Sequence, residues 1–300
     1  MIEFLQHIVN GLSLGSIYAL IALGYTMVFG ILQLINFAHG EVFMLGAFAG
    51  LYISRQFALG QVSSFGSLVL VMLIAMAVCA AIGFVIERVA YRPLRRAPRI
   101  NLLITAIGVS LFLQYASQLG FGPDPKFFPQ IWQPEGDWGF GELRINPLQG
   151  MVLIISLILM AALQTVVFKT RIGRAMRAVS FNHDLASLQG IPTDRVISYT
   201  FMLGSALAGA AGVLVGMIYP KIDPLMGTLP GLKAFVAAVL GGIGNVTGAV
   251  VGALLLGLAE EFVVGYWAPT FRDALAFAIL IVILLFKPTG LFGTRVTEKV

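Results

Sequence analysis

Side chains able to donate, accept and exchange a proton fall within a few residues at INFAHGE, where Asn36, His39 and Glu41 are interleaved with the small residues Ala38 and Gly40. Asn36 offers both donor and acceptor, a neutral His39 does the same, and Glu41 can meet an ammonium group or orient the imidazole. The run interrupts apolar sequence, and two readings stand. It is a polar turn solvated at a membrane face, or a helix break whose side chains and freed backbone groups touch a passing solute. GGIGN at 241–245 interrupts a second apolar stretch. It reads as a tight glycine turn between two helices or, through Gly242 and Asn245, as part of the same path. A third polar island, DLASLQG at 184–190, has the pattern of a short amphipathic helix with Leu185 and Leu188 on one side. Gly190 followed by Ile191 and Pro192 supplies its stop, since Gly takes the left-handed position and Pro cannot continue the helix.

Other chemistries lack their residues. No GxxxxGK[ST] loop, HExxH or GxSxG occurs, and His7, His39 and His183 are too dispersed for a metal site. Cys79, the only cysteine, lies in an apolar run and reads as a small buried hydrophobe. The chain is therefore expected not to be an enzyme and to hold no cofactor, metal or ATPase site of its own.

The elements that must position these groups are membrane helices. Of 300 residues, 58% are hydrophobic and 11% charged, too few polar groups to clothe a soluble core of this size. Apolar runs of about 20 residues match the bilayer's hydrocarbon thickness. They are continuous, not alternating, so they read as helices and not barrel strands. Spans are expected near 8–30, 38–58, 65–86, 102–120, 148–168, 197–219, 230–243, 246–264 and 270–286. The fold class is all-α: a polytopic bundle of about eight or nine spans in a single domain, 1–300. Closely spaced glycines, as in GSALAGAAGVLVG, predict tight helix packing.

Charge orients the bundle. Arg88, Arg92, Arg95, Arg96 and Arg99 face Glu87 alone, while Lys169, Arg171, Arg174, Arg177 and Arg195 face Asp184 and Asp194. Such basic loops stay in the cytoplasm. The segment 121–146, with Asp124, Glu135, Asp137 and Glu142 against Lys126 and Arg144, belongs outside. Four more spans return the tail, with Lys287, Arg295 and Lys299, to the cytoplasm. Nine spans put the N-terminus outside, in keeping with its lack of basic residues; a re-entrant INFAHGE makes eight and moves it inside. Lys233 is expected to snorkel to the outer interface, and Glu260, Glu261, Arg272 and Asp273 to be solvated or paired near span ends.

The loop 169–196 carries a more specific signal. DLASLQG resembles the E-A-A-x-x-x-G loop of ABC importer permeases, with Asp184, Ala186 and Gly190 at matching positions and Leu185 where the second Ala stands. GRAMRAVSFNHDLASLQGIPTDRV, GLSLGSIYALIALGYTMVFGILQLINFAHGEVFMLGAF, ERVAYRPLR, GLKAFVAAVLGGIGNVTGAVVGALLLGLAE and KPTGLFG together resemble the LivH-type permeases of branched-chain amino-acid importers. That resemblance implies a bacterial inner-membrane permease carrying branched-chain amino acids, with a related urea or amide permease as the alternative, and a passive channel or secondary transporter as the reading from a different class. It implies as partners a second, LivM-like permease, two cytoplasmic ATPase subunits that hold ATP and Mg, and a periplasmic binding protein, within the lipid bilayer and without nucleic acid. Asp184, Leu185, Ala186, Leu188 and Gly190 would then form the coupling helix that docks on the ATPase.

Overall fold

A backbone in hydrocarbon must satisfy its own hydrogen bonds, so continuous apolar runs fold as helices. The computed structural model describes residues 2–59, 64–95, 97–134, 136, 138–140 and 143–293; Arg96, Glu135, Asp137, Glu142, Arg295 and Lys299 lie outside the described residues. Each of the nine expected spans has a helix: α1 (Ile2–Leu32), α2 (His39–Gln56), α3 (Phe65–Ile86), α4 (Arg99–Phe121), α5 (Pro147–Lys169), then, after two shorter helices, α8 (Thr193–Ile218), α9 (Thr228–Gly241), α10 (Val246–Tyr266) and α11 (Arg272–Phe286). Among the described residues, seven stretches are long and apolar enough to cross a membrane; α2 and α9 are not among them. The 14 residues of α9 reach only about 21 Å.

The loop 169–195, read as one short helix in an irregular segment, contains two: α6 (Arg171–Phe181) and α7 (His183–Leu188). Thr170 caps the first, accepting from the Gly173 amide, and Asn182 caps the second, accepting from the Leu185 amide at 2.9 Å. Two small antiparallel ladders depart from an all-helical chain. β1 (Lys126–Phe127) pairs with the last strand, β4 (Lys221–Ile222), and β2 (Trp138–Phe140) pairs with β3 (Leu143–Ile145). They lie in connections beyond the apolar runs, where a strand pair can satisfy backbone groups that no helix covers.

At the centre α1 packs against α10, α8, α9 and α5, while α2 and α3 pack on α8. Glycine permits the closest of these approaches: a Cβ on Gly46 of α2 would lie 2.5 Å from the Gly209 Cα of α8, as expected of helices that associate by fit in lipid. Helices α4 and α11 turn large apolar side chains outward, among them Phe112, Leu119, Leu285 and Phe286. The basic segments share one end of the bundle, where Arg92 and Arg95 reach Asp194 at the start of α8 and Ser180 of α6 donates to the Gly30 carbonyl near the end of α1. The other end gathers β1, β4 and the α2–α3 connection. Positive loops mark the first end as cytoplasmic.

Candidate functional site

Two helices begin inside the bundle and meet there. Helix α1 runs on to Leu32, yet the chain turns back through 33–38 so that α2 starts beside Gly24, eight residues from that end, a retreat of about 12 Å. A Cβ on Gly24 would strike the His39 Nε2 at 2.1 Å. Helix α9 starts opposite: a Cβ on Gly40 would lie 2.6 Å from the Gly227 carbonyl oxygen. Two helix N-termini, each bearing partial positive charge and unsatisfied amides, thus converge at depth.

The INFAHGE side chains line this junction. Asn36, His39 and Glu41 are 3%, 1% and 3% exposed, so the solvated-turn reading fails. The reason is tertiary: α1, α3, α4 and α9 close over the break. The Tyr91 hydroxyl donates to Asn36 Oδ1 at 2.9 Å, the Ser110 hydroxyl donates to Glu41 Oε1 at 3.4 Å, and the Tyr25 ring stands edge-on to His39 with centroids 4.9 Å apart. His39 Nε2 and Glu41 Oε2 have no hydrogen-bond partner among the described residues. Buried polar atoms left unpaired are costly and rare. Their concentration at a helix break leaves donors and acceptors for a polar solute in otherwise apolar surroundings.

GGIGN is not brought to this junction. Gly244 sits beside Gly30 at the basic end, and Gly242 is packed by Gly293. Asn245 caps α10, accepting from the Gly248 amide at 3.0 Å, and its Nδ2 donates to the Phe292 carbonyl at 3.0 Å. Geometrically it is a helix turn stapled to the C-terminal segment.

The loop 169–196 has the stop read from its sequence. Gly190 takes φ +78°, and the Ile191 amide donates to the Ala186 carbonyl while the Gly190 amide donates to that of Ser187, the paired bonds of a Schellman ending. Ala186 faces the bundle; Asp184, Leu185 and Leu188 face away, Leu188 with 82% of its surface exposed. An exposed leucine pair on the polar end of a membrane protein is a patch suited to a protein partner.

Two charge clusters emerge only in three dimensions. Glu87, fully buried, accepts from Arg95 and, at 2.6 Å, from the Ser198 hydroxyl; Arg95 and Arg92 in turn pair with Asp194 at 2.6 and 2.5 Å. This clasp ties the first basic segment to the helix that follows α7. Its available signal was Glu87, one acid among five arginines. Near the opposite end Lys233 does not snorkel. It is 5% exposed and pairs with Glu260 at 3.0 Å and Asp273 at 2.7 Å. Glu260 also accepts from Arg272 Nε and the Tyr18 hydroxyl, each at 3.0 Å. α9 is too short, and too enclosed by α1, α10 and α11, for the ammonium to reach water.

Residues 7–284 match the family described as "Branched-chain amino acid transport system / permease component". The chain is 44% identical over 303 residues to the "High-affinity branched-chain amino acid transport system permease protein LivH" of Escherichia coli (strain K12), covering 99% of this chain and 98% of that one. It is also 44% identical over 307 residues to the corresponding permease protein BraD of Pseudomonas aeruginosa, with the same coverage.

Proposed function

We infer that this chain, which belongs to the branched-chain amino acid transport permease family, is the multi-pass inner-membrane permease of an importer for branched-chain amino acids. The observation that carries the reading is the relationship to two such permeases across 99% of the chain. Uptake against a gradient needs an energy source, and the permease draws it from partners: two cytoplasmic ATPase subunits that bind ATP and Mg, a second, LivM-like permease, and a periplasmic protein that delivers the ligand. α7 and its flanks, from Asp184 to Gly190, dock on an ATPase subunit through Leu185 and Leu188.

The junction of α2 and α9 is the passage. An amino acid leaving water must exchange hydration for protein groups. Glu41 and His39 hold polar atoms without partners among the described residues, and Asn36 adds an amide fixed by Tyr91. A site on a transport route must bind weakly enough to release, so its loss lowers rate more than equilibrium binding. The test is leucine uptake and ATP hydrolysis measured together in proteoliposomes holding the assembled importer. Asn36→Leu is expected to depress uptake several-fold while ATP hydrolysis persists, with His39→Ala and Glu41→Gln acting in the same direction. Unchanged uptake in all three removes the junction from the path. A wild-type assembly that carries urea or acetamide and not leucine overturns the substrate.

A further inference from the structure

We propose that the crevice between α1, α5, α8, α10 and α11, at the end of the bundle away from the basic loops, binds a zwitterionic α-amino acid with an aliphatic side chain before it reaches the buried junction. The proposal rests on the transport reading above and assigns that substrate a first, external site on residues remote from INFAHGE.

The crevice has a volume of about 150 Å³ and reaches from Asn10 to Ile17 along α1, a depth of about 10 Å. At the 10–15 Å³ needed per water, that is room for roughly ten waters, or the nine or so heavy atoms of leucine. Its lining separates three chemistries. Arg272 spends only Nε, which donates to Glu260 Oε2 at 3.0 Å; its two terminal nitrogens have no partner among the described residues and form the planar fork that suits a carboxylate. Glu260 is fully buried and is itself held by Lys233 and Tyr18, so the arginine head is anchored before any ligand arrives.

Glu261 is the counterpart for an ammonium. Both of its contacts, from His7 Nδ1 at 3.3 Å and Asn10 Nδ2 at 3.1 Å, fall on Oε1 and leave Oε2 unused. Leu14, Ile17 and Ile218 form an apolar wall beside these groups. An inorganic anion would meet Glu261, and a simple cation would meet Arg272. A molecule carrying both charges and an aliphatic tail satisfies all three parts at once.

The test uses the assembled importer in proteoliposomes on a Cys79→Ser background. Gln149→Cys puts a thiol on the crevice rim, and Trp267→Cys puts one at the same end outside it. Labelling from outside by a membrane-impermeant thiol reagent is timed with leucine, with isoamylamine, which lacks the carboxylate, and with 4-methylpentanoate, which lacks the ammonium. Leucine at ten times its dissociation constant is expected to slow labelling at 149 about tenfold, leave 267 unchanged, and lose its effect in Arg272→Gln. Arg272→Lys, which keeps the charge and can keep Glu260 paired, should weaken protection and serves if Arg272→Gln does not assemble. Absence of protection at leucine concentrations that saturate uptake, or equal protection by the amine or the acid, overturns the site while leaving the transport reading intact. Absence of leucine uptake by the wild-type assembly overturns the transport reading itself.

Discussion

Glu260 is enclosed by protein on every side, and three donors reach its carboxyl oxygens there: Lys233, Arg272 and the Tyr18 hydroxyl. Removing the acid strands Arg272 and leaves Lys233 only the exposed Asp273. Breaking a buried ion pair from one side costs about 3–5 kcal/mol, more than the pair itself contributes over an apolar replacement. Glu260→Leu should therefore lower the stability of the detergent-solubilised protein by roughly that amount, read as a drop in its thermal midpoint, and Glu260→Gln should fall between it and wild type. An unchanged midpoint for Glu260→Leu would show that the cluster is hydrated. The identities of these residues were plain in the sequence, but their partnership was not. Lys233 and Glu260 lie 27 positions apart on different helices, and neither local spacing nor composition says which span ends meet.

At the scale of elements, α7 is the piece most nearly legible from its residues. Asn182 caps it, Gly190 ends it with a positive φ, and Pro192 prevents continuation. All three signals are local, because capping and left-handed turns depend on a few neighbouring residues. Gly190 has open space around it, so a side chain there strains the backbone by about 1–2 kcal/mol without disturbing the bundle. Gly190→Trp and Leu188→Asp should both leave the protein inserted while reducing co-purification of the ATPase subunits and uncoupling ATP hydrolysis from uptake. Normal retention and uptake in both would leave α7 as a headgroup anchor. Helix α6 was less legible, since its arginines read as a basic loop; burial of Gly173, Met176 and Val179 against the bundle is what makes it a helix. The Glu87, Arg95 and Asp194 clasp then fixes where α8 begins relative to α3.

For the whole molecule, the disposition of charge predicts the orientation of every helix. On a Cys79→Ser background, Ser180→Cys should label only from the cytoplasm and Gly136→Cys only from outside, both positions being exposed at opposite ends. Reversed labelling would invert the topology and place α7 away from any cytoplasmic ATPase. The helical membrane class, the places of nine helices, the segregation of basic loops and the ending of α7 were all legible in the residues alone. Each follows from quantities summed over neighbouring residues: apolar length, positive charge and turn chemistry. It took the packed bundle to show that INFAHGE is buried and not solvated, that α2 and α9 start inside the bundle and meet tip to tip, that GGIGN stays at the basic end, and that Lys233 is paired and not snorkelled. Those outcomes depend on which distant segments pack together. A polar group in an apolar run carries the same local pattern at a wet interface and at a dry junction, and the helices that close over it make the difference.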